Sequence, residues 1–217
     1  MASRPESVDL PPTKSLRDAQ KDVTRQRLVA AATAVFTRDG YVAGTIEDVA
    51  AAAGVSRATF YLHFKDKREV LGPLLDRLAD ESMKIYVDLV ALGEPTLDQL
   101  HRWMSETVTY WERNLREVDV VQQALATDPL YTESYLLALE KSVKIMSEHL
   151  VERRGVGQTE ARLTGRLLIL QLDRLCFFWI VRGMPIEMDR DAIIEQMTSI
   201  WWKALYAEDV GMRERAD

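Results

Sequence analysis

Between Ser56 and Lys67 the chain reads SRATFYLHFKDK, which places Arg57, Thr59, Tyr61 and His63 within seven residues. Read as a helix capped by Ser56, the stretch turns Phe60 and Phe64 inward at an i, i+4 spacing. Arg57, Ala58, Thr59, Tyr61 and His63 are then left outside, a set that suits contact with a nucleic acid. Arg57 can donate two hydrogen bonds to guanine or pair with a phosphate. Thr59 and Tyr61 can hydrogen-bond phosphates, and Ala58 is short enough to approach bases and touch a thymine methyl. His63 is a neutral or cationic donor; an ordinary surface histidine has the same pattern.

These side chains need a rigid mount, and the preceding residues provide one. Thr45 opens a helix with Asp48 three residues on, a pair able to satisfy each other's orphan amides. Ile46, Val49, Ala50 and Ala53 form its buried face, and four alanines from Ala50 let a second helix cross at close range. Gly54 tolerates positive φ at the turn, and Val55 seals the corner. Two short helices around one glycine are a helix-turn-helix. Free amides behind Thr45 and Ser56 add phosphate sites, and Lys67, opening the next helix, can reach the backbone of a duplex. Upstream, Leu28, Ala31, Ala32, Val35 and Phe36 form one helical stripe, which Gly40 is placed to end in a left-handed conformation.

Downstream the apolar periodicity is helical throughout. A helix from Asp66 to about Ala91 carries Gly72-Pro73, which removes a backbone donor and is expected to bend it. Thr96 with Gln99 opens the helix of Leu100, Trp103, Met104, Thr107, Val108 and Trp111. A shorter helix is expected over roughly 117–126, and Asp128-Pro129 starts another that ends at Gly155. Thr159 begins the helix of Leu163 to Phe178, and Asp189 caps the last. That makes nine helices and an all-α chain.

The chain has 217 residues, 47% hydrophobic and 29% charged, enough to bury a core and too apolar for a disordered protein. Its net charge of −6 is uneven: residues 1–72 carry 11 Lys/Arg against 9 Asp/Glu, whereas 73–217 carry 17 against 25. A mildly basic head on an acidic body fits a small phosphate-contacting module on a body that touches none; chance unevenness is the plainer reading. The polar first twenty residues, the single cysteine and a longest apolar run of seven, Leu175 to Val181, point to a cytoplasmic protein.

The residues Gly40-Tyr41, Thr45-Ile46, Val49-Ala50, Ala53-Gly54-Val55-Ser56, Thr59-Phe60-Tyr61, His63-Phe64 and Lys67 resemble the DNA-binding domain of the TetR family of transcriptional regulators, over Leu28 to Leu71. The resemblance implies two domains: a flexible arm (1–21), a three-helix helix-turn-helix domain (22–66), a ligand-binding and dimerisation domain (67–207) and a frayed tail (208–217). It implies a homodimer through the helices near 160–182 and 190–206, reading successive major grooves of a palindromic operator. It also implies DNA contacts from Thr45, Arg57, Thr59, Tyr61, His63 and Lys67. The spacing of IWWKALYAED at 200–209 further resembles the ethionamide-type repressors, which bind long lipophilic ligands.

In the body, Trp103, Thr107, Tyr110, Trp111 and Asn114 share a wide face of one helix. They read either as aromatic core or as the wall of a cavity with a few polar anchors. The resemblance places the effector pocket in this region, with Met146, Phe177 and Trp201 as partners from other helices. The effector expected there is small, elongated and mostly apolar. Arg174 can pair with Asp173 or with a ligand. The apolar run from Leu175 is expected to be buried on more than one side.

Enzymatic chemistry finds no support. His63, His101 and His149 lack metal spacing, no glycine-rich phosphate loop is present, and Cys176 in an apolar run is expected to be inert. No cofactor or metal is expected. The reading is a repressor released by its effector, with activation or ligand-independent regulation as alternatives. A helical lipid-binding protein without DNA function is the reading from another class, and it leaves Arg57, Tyr61, His63 and Lys67 unexplained. The basic residues Arg4, Lys14 and Arg17 leave open a contact between the N-terminal arm and DNA.

Overall fold

The computed structural model describes residues 15–206, and among them there is no strand. Eight α-helices run in order: α1 (Leu16–Asp39), α2 (Ile46–Ala52), α3 (Arg57–His63), α4 (Lys67–Ala91), α5 (Leu97–Thr127), α6 (Pro129–Arg154), α7 (Gln158–Cys176) and α8 (Arg190–Leu205). A π-helical turn, Phe177–Val181, extends α7.

Local chemistry sets most boundaries. Ser15, Thr45, Ser56, Asp66, Thr96, Asp128 and Asp189 each accept a hydrogen bond from an amide of the first turn that follows. Thr45–Asp48 and Thr96–Gln99 are reciprocal capping boxes. Gly155 closes α6 in the left-handed region at φ 62°, ψ 18°. Gly40 also has positive φ, but its ψ of 156° lies outside the left-handed helical region expected of it.

Two expectations change. The separate helix over 117–126 is part of α5, because nothing between Trp111 and Glu117 breaks a helix: there is no glycine or proline. Residues 16–21, expected in a flexible arm, form the first turns of α1 behind the Ser15 cap. Arg17 is exposed there, whereas Arg4, Lys14 and the tail from 208 lie outside the described residues. Along the run from Leu175, Cys176 and Phe177 are covered by the body core, whereas Phe178 is 48% exposed in the single subunit.

Two apolar cores form. The head core gathers Leu28, Val35 and Phe36 of α1, Val49 and Ala50 of α2, and Phe60 and Phe64 around α3. The body core gathers Leu100, Met104 and Val108 of α5 with Met146, Leu172, Ile194, Trp201 and their neighbours. The helix α4 belongs to both: Val70, Leu71, Leu74 and Leu78 join the head, and Tyr86 and Leu89 join the body. It continues through Pro73 without interruption. Val120 and Ala124 of α5 and Tyr131 of α6 also enter the head core, so head and body are packed together and not merely strung on one helix.

Gly165 of α7 faces α6. A Cβ at Gly165 would stand 3.2 Å from Met146 Cβ, so the glycine lets the two backbones come together. Nearby, His149 is buried with Nε2 unpartnered. Burial, and then the Arg153 cation, push its pKa below the ordinary 6.5. A histidine held neutral in the fold contributes stability that is full above its unfolded pKa and is lost as pH falls toward the folded value. Melting temperature is therefore expected to drop on acidification from pH 7.5 to pH 5.5, by less in His149→Leu than in the wild type. Equal drops in calorimetry would remove His149 from the account.

Candidate nucleic-acid interface

The turn between α2 and α3 is built on Gly54, at φ 65°, with the Val55 amide donating to the Ala50 carbonyl at 3.0 Å. Arg27 of α1 braces it from outside, its Nη2 donating to the Ala53 carbonyl at 2.6 Å. Phe60 and Phe64 are buried and fix the roll of α3, which settles what is left outside. Arg57, Ala58 and Tyr61 are exposed, and Thr59 and His63 are half-buried. Ser56 is the N-cap: its Oγ accepts from the Thr59 amide at 3.0 Å and lies 2.9 Å from Thr59 Oγ1. Thr45 holds the equivalent place before α2, bonded to Asp48 through side chain and backbone.

Arg57 is already engaged. Its guanidinium lies 5.6 Å from the centre of the Tyr61 ring and donates to Tyr61 Oη at 3.4 Å, while Nη1 pairs with Glu47 of α2. These neighbours raise its pKa, the Tyr61 hydrogen bond first and the Glu47 charge next. Glu47 is the residue sequence reasoning missed, since a pair ten positions apart across a turn obeys no helical spacing. His63 keeps Nδ1 buried without a partner, so it is not the freely exposed donor expected.

Lys67 departs furthest from expectation. Its Nζ turns away from the surface, donating to the carbonyls of Tyr41 and Val42, and sits 4.4 Å over the Tyr41 ring and 5.2 Å over Phe36. Burial lowers its pKa. The carbonyls of the loop between α1 and α2 and the faces of Tyr41 and Phe36 hold the ammonium against that desolvation. Lys67→Met is accordingly expected to lower the melting temperature while leaving the salt slope of DNA binding unchanged. A slope shallower by about one would return Lys67 to the phosphate contacts.

In the body, Trp103, Trp111, Met146, Phe177 and Trp201 belong to one apolar core, and they and Thr107 are all buried. Trp103 and Trp201 lie 5.1 Å apart, ring centre to ring centre, and Trp103 Nε1 donates to the Ile85 carbonyl at 2.8 Å. The polar members are turned onto their own surroundings. Thr107 Oγ1 and Asn114 Nδ2 each donate to the carbonyl four residues back, and Tyr110 Oη reaches the Leu78 carbonyl at 3.4 Å. Arg174 pairs with Asp173, as expected, at 2.9 Å. The Cys176 thiol is pushed up by burial, as an inert cysteine would be.

A separate groove lies away from this cluster. It has a volume of about 430 Å³ at the junction of head and body and is lined by Thr37, Arg38 and Gly40 of the head and by Arg116, Asp119 and Gln123 of α5. Asp119 pairs there with Arg182 at 2.9 Å, and Gln123 Oε1 accepts from the Val42 amide at 3.5 Å. None of the eight residues expected to line an effector pocket borders this groove.

A three-helix head that bares Arg57, Thr59 and Tyr61 from a helix-turn-helix is a DNA-reading module. Residues 28–72 match the model for bacterial regulatory proteins of the tetR family. Similarity extends beyond the head. The HTH-type transcriptional repressor DhaR of Mycobacterium sp. (strain GP1) is 26% identical over 182 residues, 82% of this chain and 90% of its own. The activator FasR of Mycolicibacterium smegmatis is 22% identical over 85% of this chain and 84% of its own. The regulator EthR of Mycobacterium tuberculosis is 23% identical over 76% and 79%. Among solved structures, a SmeT–triclosan complex superposes with a TM-score of 0.63 at 22% identity, covering 87% of this chain and 93% of that one. Residues 28–72 form a DNA-binding domain of the tetR type, and the chain is a DNA-binding transcriptional regulator.

Proposed function

We propose that this regulator is a cytoplasmic repressor that binds a palindromic operator as a homodimer and is released by a small, mostly apolar effector. The observation that carries the release mechanism is the double membership of α4, whose first half is head core and whose second half is body core. A change in body packing therefore reaches the mount of α3. An effector that weakens operator binding must bind the low-affinity arrangement better, by about 1.4 kcal/mol for each tenfold loss.

The homodimer is supported by apolar side chains that one subunit leaves uncovered. Leu163 and Leu167 of α7, Phe178 of the π turn and Ile200 of α8 are each about half exposed. They lie on the two helices near 160–182 and 190–206, and a two-fold axis would bury them against their own copies. The aromatic cluster of Trp103, Trp111, Phe177 and Trp201 supports an apolar effector, as does the triclosan held by the SmeT relative. Because that cluster is closed, the effector would bind by displacing side chains, a change that α4 would feel.

The test couples both claims. Operator fragments recovered by selection are bound to the purified protein, and lipophilic and highly charged metabolites are compared as releasing agents by fluorescence anisotropy. Release by lipophilic compounds, with one dimer leaving per site, is the expected result. Release only by small, highly charged metabolites would sink the effector reading. A reporter gene whose transcription falls on deleting the regulator would make it an activator.

A further inference from the structure

Glu47 sits in the first turn of α2, the helix that crosses the phosphate backbone when a helix-turn-helix docks. A carboxylate there faces phosphates at short range and is unfavourable for any duplex. It does not cap its own helix; Thr45 and Asp48 do that. Its partner in the structure is Arg57, the leading cation of α3, which is at the same time stacked on and bonded to Tyr61. Both side chains are more than half exposed, at 53% and 61%, so water and salt already screen the pair and a stronger partner can break it.

We infer that Glu47 limits DNA affinity by competing with the duplex for Arg57. The inference rests on the reading of α3 as the DNA-contacting helix. On a random duplex the only reward for breaking the pair is one phosphate contact, which roughly replaces the carboxylate Arg57 gives up. On an operator that offers a guanine edge, Arg57 gains a bidentate contact that a carboxylate on the surface cannot match. Tyr61 holds the guanidinium plane in either case, so the exchange needs little reordering. Glu47 thus lowers affinity for all complexes alike, and the guanine contact of an operator offsets that loss where a random duplex does not.

The test measures binding to a labelled random-sequence duplex as a function of salt for the wild type, Glu47→Gln, Arg57→Gln and the double variant, each checked for an unchanged melting temperature. Glu47→Gln is expected to tighten random-duplex binding by roughly three- to tenfold near 0.1 M salt and to steepen the salt slope by about one. Arg57→Gln is expected to weaken binding, and in its background the Glu47→Gln gain is expected to shrink to less than half. Unchanged or weaker binding by Glu47→Gln would overturn the inference. The same gain in both backgrounds would also overturn it, since Glu47 would then act by general repulsion and not through Arg57. If Arg57→Gln binds like the wild type, the assignment of Arg57 to the DNA surface fails first, a distinguishable outcome.

Discussion

Gly44→Val is expected to unfold the head and abolish DNA binding. Gly44 is buried in the loop between α1 and α2, and a Cβ there would stand 2.8 Å from Phe36 Cδ1 and 3.2 Å from the Gly40 carbonyl oxygen. Phe36 cannot retreat, because it is fully buried at the centre of the head core and packs edge-on against Tyr41 at 5.5 Å. Its φ is not in the positive region, so the requirement is space and not backbone freedom. Overpacking of this kind costs about 1–3 kcal/mol for a single added carbon and more for a branched side chain. The loop carries the carbonyls that hold Lys67, so displacing it loosens the start of α4 as well. Gly93 is the control: it has φ 62° but open space around its Cβ direction. Gly93→Ala is expected to cost about 1 kcal/mol in backbone strain and to leave DNA binding intact. Calorimetry and duplex binding on the two variants separate the cases, and wild-type binding by Gly44→Val would show that the loop is not held as described.

Trp201→Ala is the second large loss, and it falls on the body. Trp201 is 1% exposed, tilted against Trp103 across the contact of α5 with α8. Removing a buried indole leaves a cavity that a closed aromatic cluster cannot fill, at about 3–5 kcal/mol. If the helices near 160–182 and 190–206 form the dimer interface, the same change loosens α8 and shifts the protein toward monomer. Chemical denaturation read together with sedimentation should show both effects. A stability loss below about 1 kcal/mol would mean the cluster reorganises freely, which would itself favour a pliable effector site.

The head was almost wholly legible in the sequence because its rules are local. Thr45 with Asp48, Gly54, Ser56, and Phe60 with Phe64 are separated by four residues or fewer within each signal, and each acts through its own helix end or turn. What escaped is what folding brings together from afar. Lys67 bonds carbonyls 25 and 26 residues upstream, and no spacing marks it as inward-facing. Arg57 and Glu47 meet only once Gly54 has folded one helix across the other. In the body, the stripe of Trp103, Thr107 and Trp111 has one periodicity whether it lines a core or a cavity; the difference lies in what Trp201 and Met146 present from other helices. The division of α5 failed for a simpler reason. The residues between Trp111 and Glu117 are adequate helix formers, with no glycine or proline to divide the helix.

The central claim is that α3 reads DNA sequence, and selection from a random duplex pool tests it most directly, with the wild type run beside Arg57→Ala and Thr59→Ala. The account predicts enrichment of one two-fold-symmetric motif by the wild type. Binding to it should resist competitor DNA, fall steeply with salt, and be lost or re-specified in the variants. An unenriched pool, or the same motif recovered at the same affinity by all three proteins, would contradict it.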